Sequence, residues 1–162
     1  MLKIISGGQT GVDRAALDVA IEKGIPYGGW CPKGGWAEDL AKAPGVLAIY
    51  DGLQETPLLS PRQRTKWNIR DADRLMVLVD SAGLAVSKGT EAAIAFADRL
   101  DRPHIVIDLD GANPVKRAVA WLGDRHGPLT LCIGGPRESE SPGIYAKAKP
   151  FLHALLDRVK EP

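Results

Sequence analysis

The sequence predicts an α/β fold of three layers, a mostly parallel sheet of about five strands with helices on both faces. Two observations carry this. Leu75-Met76-Val77-Leu78-Val79 is a continuous apolar run, the pattern of a central strand covered on both sides. Three glycine-bearing loops, Ser6–Gly11, Ser87–Thr90 and Gly134–Ser139, each follow a strand-like run and open into a helical pattern. With parallel strands and right-handed crossovers, all three loops fall on one sheet edge.

Leu2 to Ile5 reads as a short buried strand, followed by Val12, Ala15, Ala16, Val19 and Ala20 at helical i, i+3, i+4 spacing. Thr10 is the expected N-cap of that helix, Asp13 its capping-box acid and Gly24 its end. Ile25 to Gly29 reads as a second strand that runs into the loop Gly28–Gly35. Val46 to Tyr50 has strand composition but lies among Pro44, Gly45 and Gly52, and is open between an edge strand and a loop. Ser60 as cap, Pro61 at the first helical position and Gln63 as capping-box partner start a helix that runs to about Ala72. Its Arg62, Arg64 and Lys66 read as a solvated basic face, with Trp67 packed inward. Helix Glu91 to Leu100 is apolar nearly all round, which predicts heavy burial. His104 to Leu109 is the next strand, and Asn113-Pro114 begins a helix with Val115, Ala118, Val119 and Leu122 on one stripe. Leu129 to Ile133 closes the sheet. Ser141-Pro142 then opens a last helix whose inner face carries Ile144, Ala148, Phe151, Leu152, Leu155, Leu156 and Val159, and Lys160-Glu161-Pro162 reads as frayed.

At 162 residues, the whole chain is expected to form one ligand-binding domain, 1–162, with a core large enough to fold without staples. A formal net charge of +1 argues against the single-sign surface that nucleic acid or a membrane demands. Basic residues nevertheless gather in or beside the glycine loops: Arg14, Lys88 and Arg137, with Lys33 in the 28–35 loop. Cys31 and Cys132 form neither a disulfide framework nor a paired metal motif, and no apolar run has the length of a membrane span or signal segment. A cytoplasmic protein is expected. His104, His126 and His153 lack ligand spacing, so no metal site is expected from them.

The first loop lacks the G-x-G-x-x-G spacing, and neither G-x-x-x-x-G-K-[ST] nor G-x-S-x-G occurs, which argues against NAD, Walker-type ATP and α/β-hydrolase chemistry. What remains is phosphate cradling by bare backbone N–H groups and helix N-termini. Arg14 in a first helical turn opposes the helix dipole by about 0.3–1 kcal/mol, a cost that makes sense beside an anion, and Lys88 and Arg137 repeat the placement. The competing explanations are glycines that merely permit tight turns and cations that are merely solvated. Trp30 and Trp36 flank the 28–35 loop and serve either to stack on a flat heterocycle or to pack the core. Cys31 beside Lys33 reads as a buried inert thiol rather than a low-pKa ligand for soft groups, and Cys132 as core. Asp80, ending the central strand, faces the expected cleft.

As a set, Ser-Gly-Gly-Gln-Thr-Gly-Val-Asp-Arg at 6–14, Gly-Gly-Trp-Cys-Pro-Lys-Gly at 28–34, Ala-Glu-Asp at 37–39, Arg-Thr-Lys-Trp-Asn at 64–68, Gly-Thr at 89–90 and Gly-Pro-Arg-Glu-Ser with Pro-Gly-Ile-Tyr at 135–145 resemble the molybdenum cofactor carrier family. That family is a branch of the SLOG superfamily of Rossmann-like nucleotide-binding proteins. The resemblance spans nearly the whole chain. It implies a molybdopterin-binding carrier or storage protein, a homo-oligomer, with molybdoenzymes or cofactor-synthesis proteins as further partners. Carried over by position, the candidate contacts to the phosphorylated ligand are Gly7, Gly8, Gln9, Thr10, Gly11, Arg14, Lys33, Gly89, Thr90, Gly135 and Arg137, to which Ser87, Lys88 and Glu91 of the same loop are added. The resemblance also implies an irregular excursion at 44–55. Gly35 stands where the family commonly shows arginine, which removes one charge contact.

Two other functions stay in view. Related phosphoribohydrolases, which cleave the base from nucleoside monophosphates, have a loop that resembles Ser87–Thr90 but carry glutamates two and three residues beyond its threonine. Ala92 and Ala93 occupy those places here, so no catalytic residue is assigned and hydrolysis would need Glu91 or Asp80 as a substitute. The third reading is a nucleotide sensor whose ligand alters a partner interaction.

Overall fold

Among the described residues, six strands form one sheet: β1 (Leu2–Ile5), β2 (Tyr27–Cys31), β3 (Leu53–Glu55), β4 (Arg74–Val79), β5 (His104–Asp108) and β6 (Leu129–Gly134). The helices are α1 (Val12–Glu22), α2 (Pro61–Asp71), α3 (Lys88–Arg99), α4 (Pro114–Leu122) and α5 (Ile144–Val159). These come from a computed structural model that describes residues 1–123 and 127–159. His126 and the expected frayed end at 160–162 lie outside the described residues.

The strand order is β3-β2-β1-β6-β4-β5 and every pairing is parallel. Parallel strands need crossovers, and the helices supply them, α1, α4 and α5 on one face and α2 and α3 on the other. The period of two along β4 shows why its sequence is apolar throughout. Met76 and Leu78 enter the α1/α4/α5 layer, whereas Leu75, Val77 and Val79 enter the α2/α3 layer. β6, placed between β1 and β4, is buried likewise, with Leu131 and Ile133 on the first side and Cys132 on the second.

The structure changes several sequence expectations. β3 is a sixth strand, three residues long and paired along the β2 edge at Gly29 to Cys31. The Val46–Tyr50 stretch is not a strand: Gly45–Ala48 is a 3₁₀ turn, and Val46 and Tyr50 fill a small core with Leu17, Cys31 and Leu53. Apolar composition there reports burial rather than extension. β2 lies two residues later than predicted, so Gly28 and Gly29 are inside the strand rather than in a loop. α1 is capped by Gly11 and not by Thr10, whose hydroxyl goes to Glu38 instead. Ser60 does cap α2, accepting from Arg62 N at 3.3 Å, but Gln63 turns to the Leu58 N–H.

α3 is not heavily buried. Thr90 and Ala97 are its buried residues, Ile94 and Phe96 are half-buried, and Ala92 and Ala95 are exposed. Its alanine-rich side faces a gap toward α2 rather than a packed neighbour, because alanines are too short to fill the space over the sheet. Leu131, with no exposed surface, sits at the centre of the sheet. Leu131→Ala should lower the free energy of unfolding by about 3 kcal/mol, read as a lower urea midpoint with unchanged slope.

Candidate functional site

Because β1, β6 and β4 are neighbours and parallel, the loops that leave their carboxyl ends stand side by side. Side chains bind these loops to one another. Ser6 Oγ donates to the Ile133 carbonyl at 2.5 Å, and Asp80 accepts the Ser141 hydroxyl, joining the β4 and β6 loops. Glu38, from the excursion after β2, accepts from both Thr10 and Ser139 and so ties the β1 loop to the β6 loop.

Beneath the first loop lies a buried polar cluster that the sequence reading missed. Arg64 is 8% exposed; its Nη1 donates to the Gly7 carbonyl at 2.9 Å and lies 3.2 Å from Asp13 Oδ2. Asp13 also accepts the Gln9 N–H at 3.4 Å. Burial pushes the Asp13 carboxyl up, and the neighbouring Arg64 charge only partly offsets it. The expected solvated basic face of α2 is therefore split: Arg62 and Lys66 are exposed, while Arg64 points inward with Asn68 one turn on. The Asn68 side chain holds the Trp30 backbone, accepting its N–H at 2.8 Å and donating to its carbonyl at 2.9 Å. The i, i+4 spacing of Arg64, Asn68 and Ala72, beside Ile69, was the available signal for an inward stripe.

The three helix N-termini differ in what they leave open. At α1, the Val12 N–H meets the Pro136 carbonyl, and a Cβ at Gly11, which has φ 78°, would lie 2.4 Å from that oxygen. At α5, Glu138 takes the N–H groups of Gly143 and Tyr145 at 2.6 and 3.1 Å. At α3, Ser87 Oγ accepts from Thr90 N at 3.3 Å, and among the described residues the N–H groups of Lys88 and Gly89 have no partner. Nothing lies within 4 Å of a Cβ built on Gly89. The fold makes no steric demand for glycine there; the missing side chain keeps the helix terminus bare.

α3 opens onto a cavity of about 220 Å³ between α2, α3 and the sheet. This is less than the roughly 300–1,000 Å³ of sites that enclose a drug-sized ligand, so it encloses one part of such a molecule. Of the fourteen predicted site residues, Gly7, Gln9, Ser87, Gly89, Thr90, Gly135 and Arg137 border it. Arg137 lies over the Trp36 ring at 5.5 Å, which gives that indole a partner within the protein. Trp30 likewise donates to Asp71 at 2.7 Å and meets Trp67 edge to face at 4.7 Å, so Trp67 packs on Trp30 rather than into the core. Thr10, Gly11 and Arg14 border a different, shallower groove. Gly8 is buried against Leu53 and Val46, and Lys33, Lys88 and Glu91 are exposed and border neither.

The shallow groove is self-satisfied. Arg14 pairs with both Asp39 oxygens at 2.9 Å and with the Gly8 carbonyl, and Asp18 accepts the hydroxyls of Tyr50 and Tyr145 at 2.6 Å. Among the residues that line the α2/α3 cavity, by contrast, Gln9 keeps a donor over. Gln9 is 4% exposed; its Oε1 accepts from Thr10 N and Glu38 N, and among the described residues its Nε2 has no partner. Asp80 does not reach the cavity; it holds Ser141 and the Ala82 N–H. Cys31 is fully buried and burial pushes its thiol up to about 11, in line with the inert reading. No three His, Cys, Asp or Glu side chains come together as a metal site among the described residues, and no described helix is long and apolar enough to cross a membrane.

Residues 4–156 match the family model of the circularly permuted YpsA SLOG family. The chain is also similar to a solved structure named "Putative molybdenum carrier protein", from Syntrophus aciditrophicus, with 38% identity and a TM-score of 0.84 over 95% of this chain and 94% of that one. Among curated proteins none matches. The two glycines at the ends of the site separate structure from binding. A Cβ at Gly7 would lie 1.9 Å from the Arg64 guanidinium, so Gly7→Ala should displace the buried pair and cost about 3 kcal/mol. Gly89→Ala should leave stability unchanged or raise it by up to about 1 kcal/mol, both read by urea unfolding.

Proposed function

This chain belongs to the circularly permuted YpsA SLOG family, and from that premise we propose that it binds a phosphorylated ligand in the α2/α3 cavity, the molybdenum cofactor (molybdopterin) being the molecule it carries or stores. The observation that carries the reading is the open α3 N-terminus on a cavity that Gln9 also lines, with the buried Gln9 Nε2 left without a partner among the described residues. An unsatisfied buried donor costs about 1–3 kcal/mol, and a ligand acceptor recovers that cost. The bare N–H group of Gly89, which lines the cavity, favours an oxyanion, and Arg62, Lys66 and Arg137 in the same lining add positive charge. The choice of molybdopterin among phosphorylated ligands rests on the name of the 38% identical relative.

The residues fit a cofactor held by its phosphate and ring rather than by its metal, since no protein ligand cluster is assembled among those described. Gly7, Gln9, Ser87, Gly89, Thr90, Gly135 and Arg137 are the contacts we assign; Gly8, Thr10, Gly11 and Arg14 shape the loop behind them. In this reading 1–162 is one ligand-binding domain, acting in the cytoplasm as a homo-oligomer that exchanges cargo with molybdoenzymes or cofactor-synthesis proteins. Hydrolysis is disfavoured: Ala92 and Ala93 present methyl groups to the cavity at the places where the related hydrolases carry glutamates, and Glu91 points elsewhere.

Anaerobic titration of the protein with molybdenum cofactor, followed by native mass spectrometry, should show saturable binding tighter than millimolar, about 4 kcal/mol, weakened by competing inorganic phosphate. Gly89→Ala should weaken it at least tenfold without loss of stability. No saturation, or release of free adenine from AMP, would overturn the proposal.

A further inference from the structure

The two edges of the sheet are finished differently, and we infer that the β5 edge joins a second copy of this chain, strand to strand and antiparallel, about a two-fold axis at Val106. This gives the homo-oligomer of the reading above a surface, and it is independent of the ligand that the cavity takes. β3, the other edge, is three residues long, ends at Glu55 and is followed by Pro57. That is the short, charged, proline-flanked form by which natural edges resist strand addition. β5 runs for five residues, His104–Asp108, with no proline, lysine or glycine among them.

The Pro103 carbonyl accepts the Leu75 N–H at 2.9 Å and the Leu109 N–H goes to the Val79 carbonyl at 2.8 Å, so the odd positions face β4. The backbone groups of His104, Val106 and Asp108 therefore face outward. Among the described residues the N–H groups of all three, and the carbonyls of His104 and Val106, have no partner; the Asp108 carbonyl accepts the Gly111 N–H at 3.1 Å. The flanks are apolar. Ile105 packs in the α1/α4/α5 layer with Val115 and Val119, and Val106 in the α2/α3 layer with Ile94 and Phe96, each of them half-buried.

Centred on Val106, the pairing uses all five residues of the strand and sets His104 against the partner's Asp108. The Val106 N–H then reaches the partner's Val106 carbonyl and the Asp108 N–H the partner's His104 carbonyl, each bond made twice by symmetry. The side chains placed opposite one another are complementary, imidazole against carboxylate. Moving the axis to His104 or to Asp108 would set two imidazoles or two carboxylates face to face. Asp98 Oδ1 lies 3.6 Å from His104 Nε2, so the imidazole stands between carboxylates of both copies.

Sedimentation equilibrium of the whole chain should show a reversible dimer. Val106→Pro removes an outward N–H and no bond to β4, and should raise the dimer dissociation constant at least roughly tenfold with an unchanged far-UV circular dichroism spectrum. Val106→Cys reads the register directly, because the two Cα atoms of such a pair stand about 5.5 Å apart, inside the disulfide range of roughly 4.4–6.8 Å. The native Cys31 and Cys132 are buried, so mild oxidation should give a covalent dimer with Val106→Cys and none with Lys42→Cys, on the exposed excursion after β2. If Val106→Pro does not fold, the cross-link decides. A monomer at every concentration overturns the inference. A dimer that Val106→Pro leaves intact, or that Val106→Cys does not link, overturns it too and moves the interface elsewhere, with the ligand reading untouched in each case.

Discussion

Arg64 reaches from the first turn of α2 beneath the β1–α1 loop and holds three oxygens: the Pro61 carbonyl of its own helix, the Gly7 carbonyl and the Asp13 carboxylate. Asp13 in turn holds the Gln9 N–H. The glycine loop thus has a backbone acceptor and a backbone donor fixed from below by two oppositely charged groups, and the shape of the cavity mouth follows from that. A pair so deeply placed contributes little net stability, because desolvation consumes most of the attraction. The raised Asp13 titration, with burial outweighing Arg64, reports the same balance. Its contribution is to orientation. Gln9 is held at its N–H and at its Oε1, which leaves its Nε2 as the group without an internal use.

The rest of the site depends on where the chain inserts β6. Two strands run outward from β1, two more begin on the other side, and the last strand returns to fill the gap between β1 and β4. The return brings loops that are distant in sequence against each other, where Ser6, Glu38 and Asp80 fasten them. Fastening also uses up helix termini. α1 gives its Val12 N–H to the Pro136 carbonyl and α5 its Tyr145 N–H to Glu138, whereas at α3 the Lys88 and Gly89 N–H groups have no partner among the described residues.

The alternation of elements, the parallel sheet and the shared edge were legible because they follow from apolar periodicity and connection rules, which are local signals. β3 was not, since three residues in which Leu53 alone is buried carry too little pattern. The predicted heavy burial of α3 failed for a related reason: alanine counts as apolar in a pattern but fills little space, and the space it leaves is the cavity. Of the residues that border the cavity, Gly7, Gln9, Gly89, Gly135 and Arg137 could be picked out from their loops, whereas Gly8 and Gly11 of the same loops lie away from it. Arg64 was not legible, because a charged side chain reads as solvated unless its buried partner is known, and Asp13, expected as a capping-box acid, turns instead to the Gln9 N–H and Arg64. Arg14 shows the converse: its place in the first turn suggested an anion, but the opposing charge is Asp39, twenty-five residues away in the chain.

Cys132 forms part of the cavity floor, 5% exposed. Burial pushes its thiol up, and the nearby Asp13 charge adds to the shift. A thiolate in that position would be a nucleophile and a soft metal ligand facing whatever the cavity holds. Kept protonated, it is a weak nucleophile and behaves as one more apolar group of the cavity floor beside Leu75 and Val77.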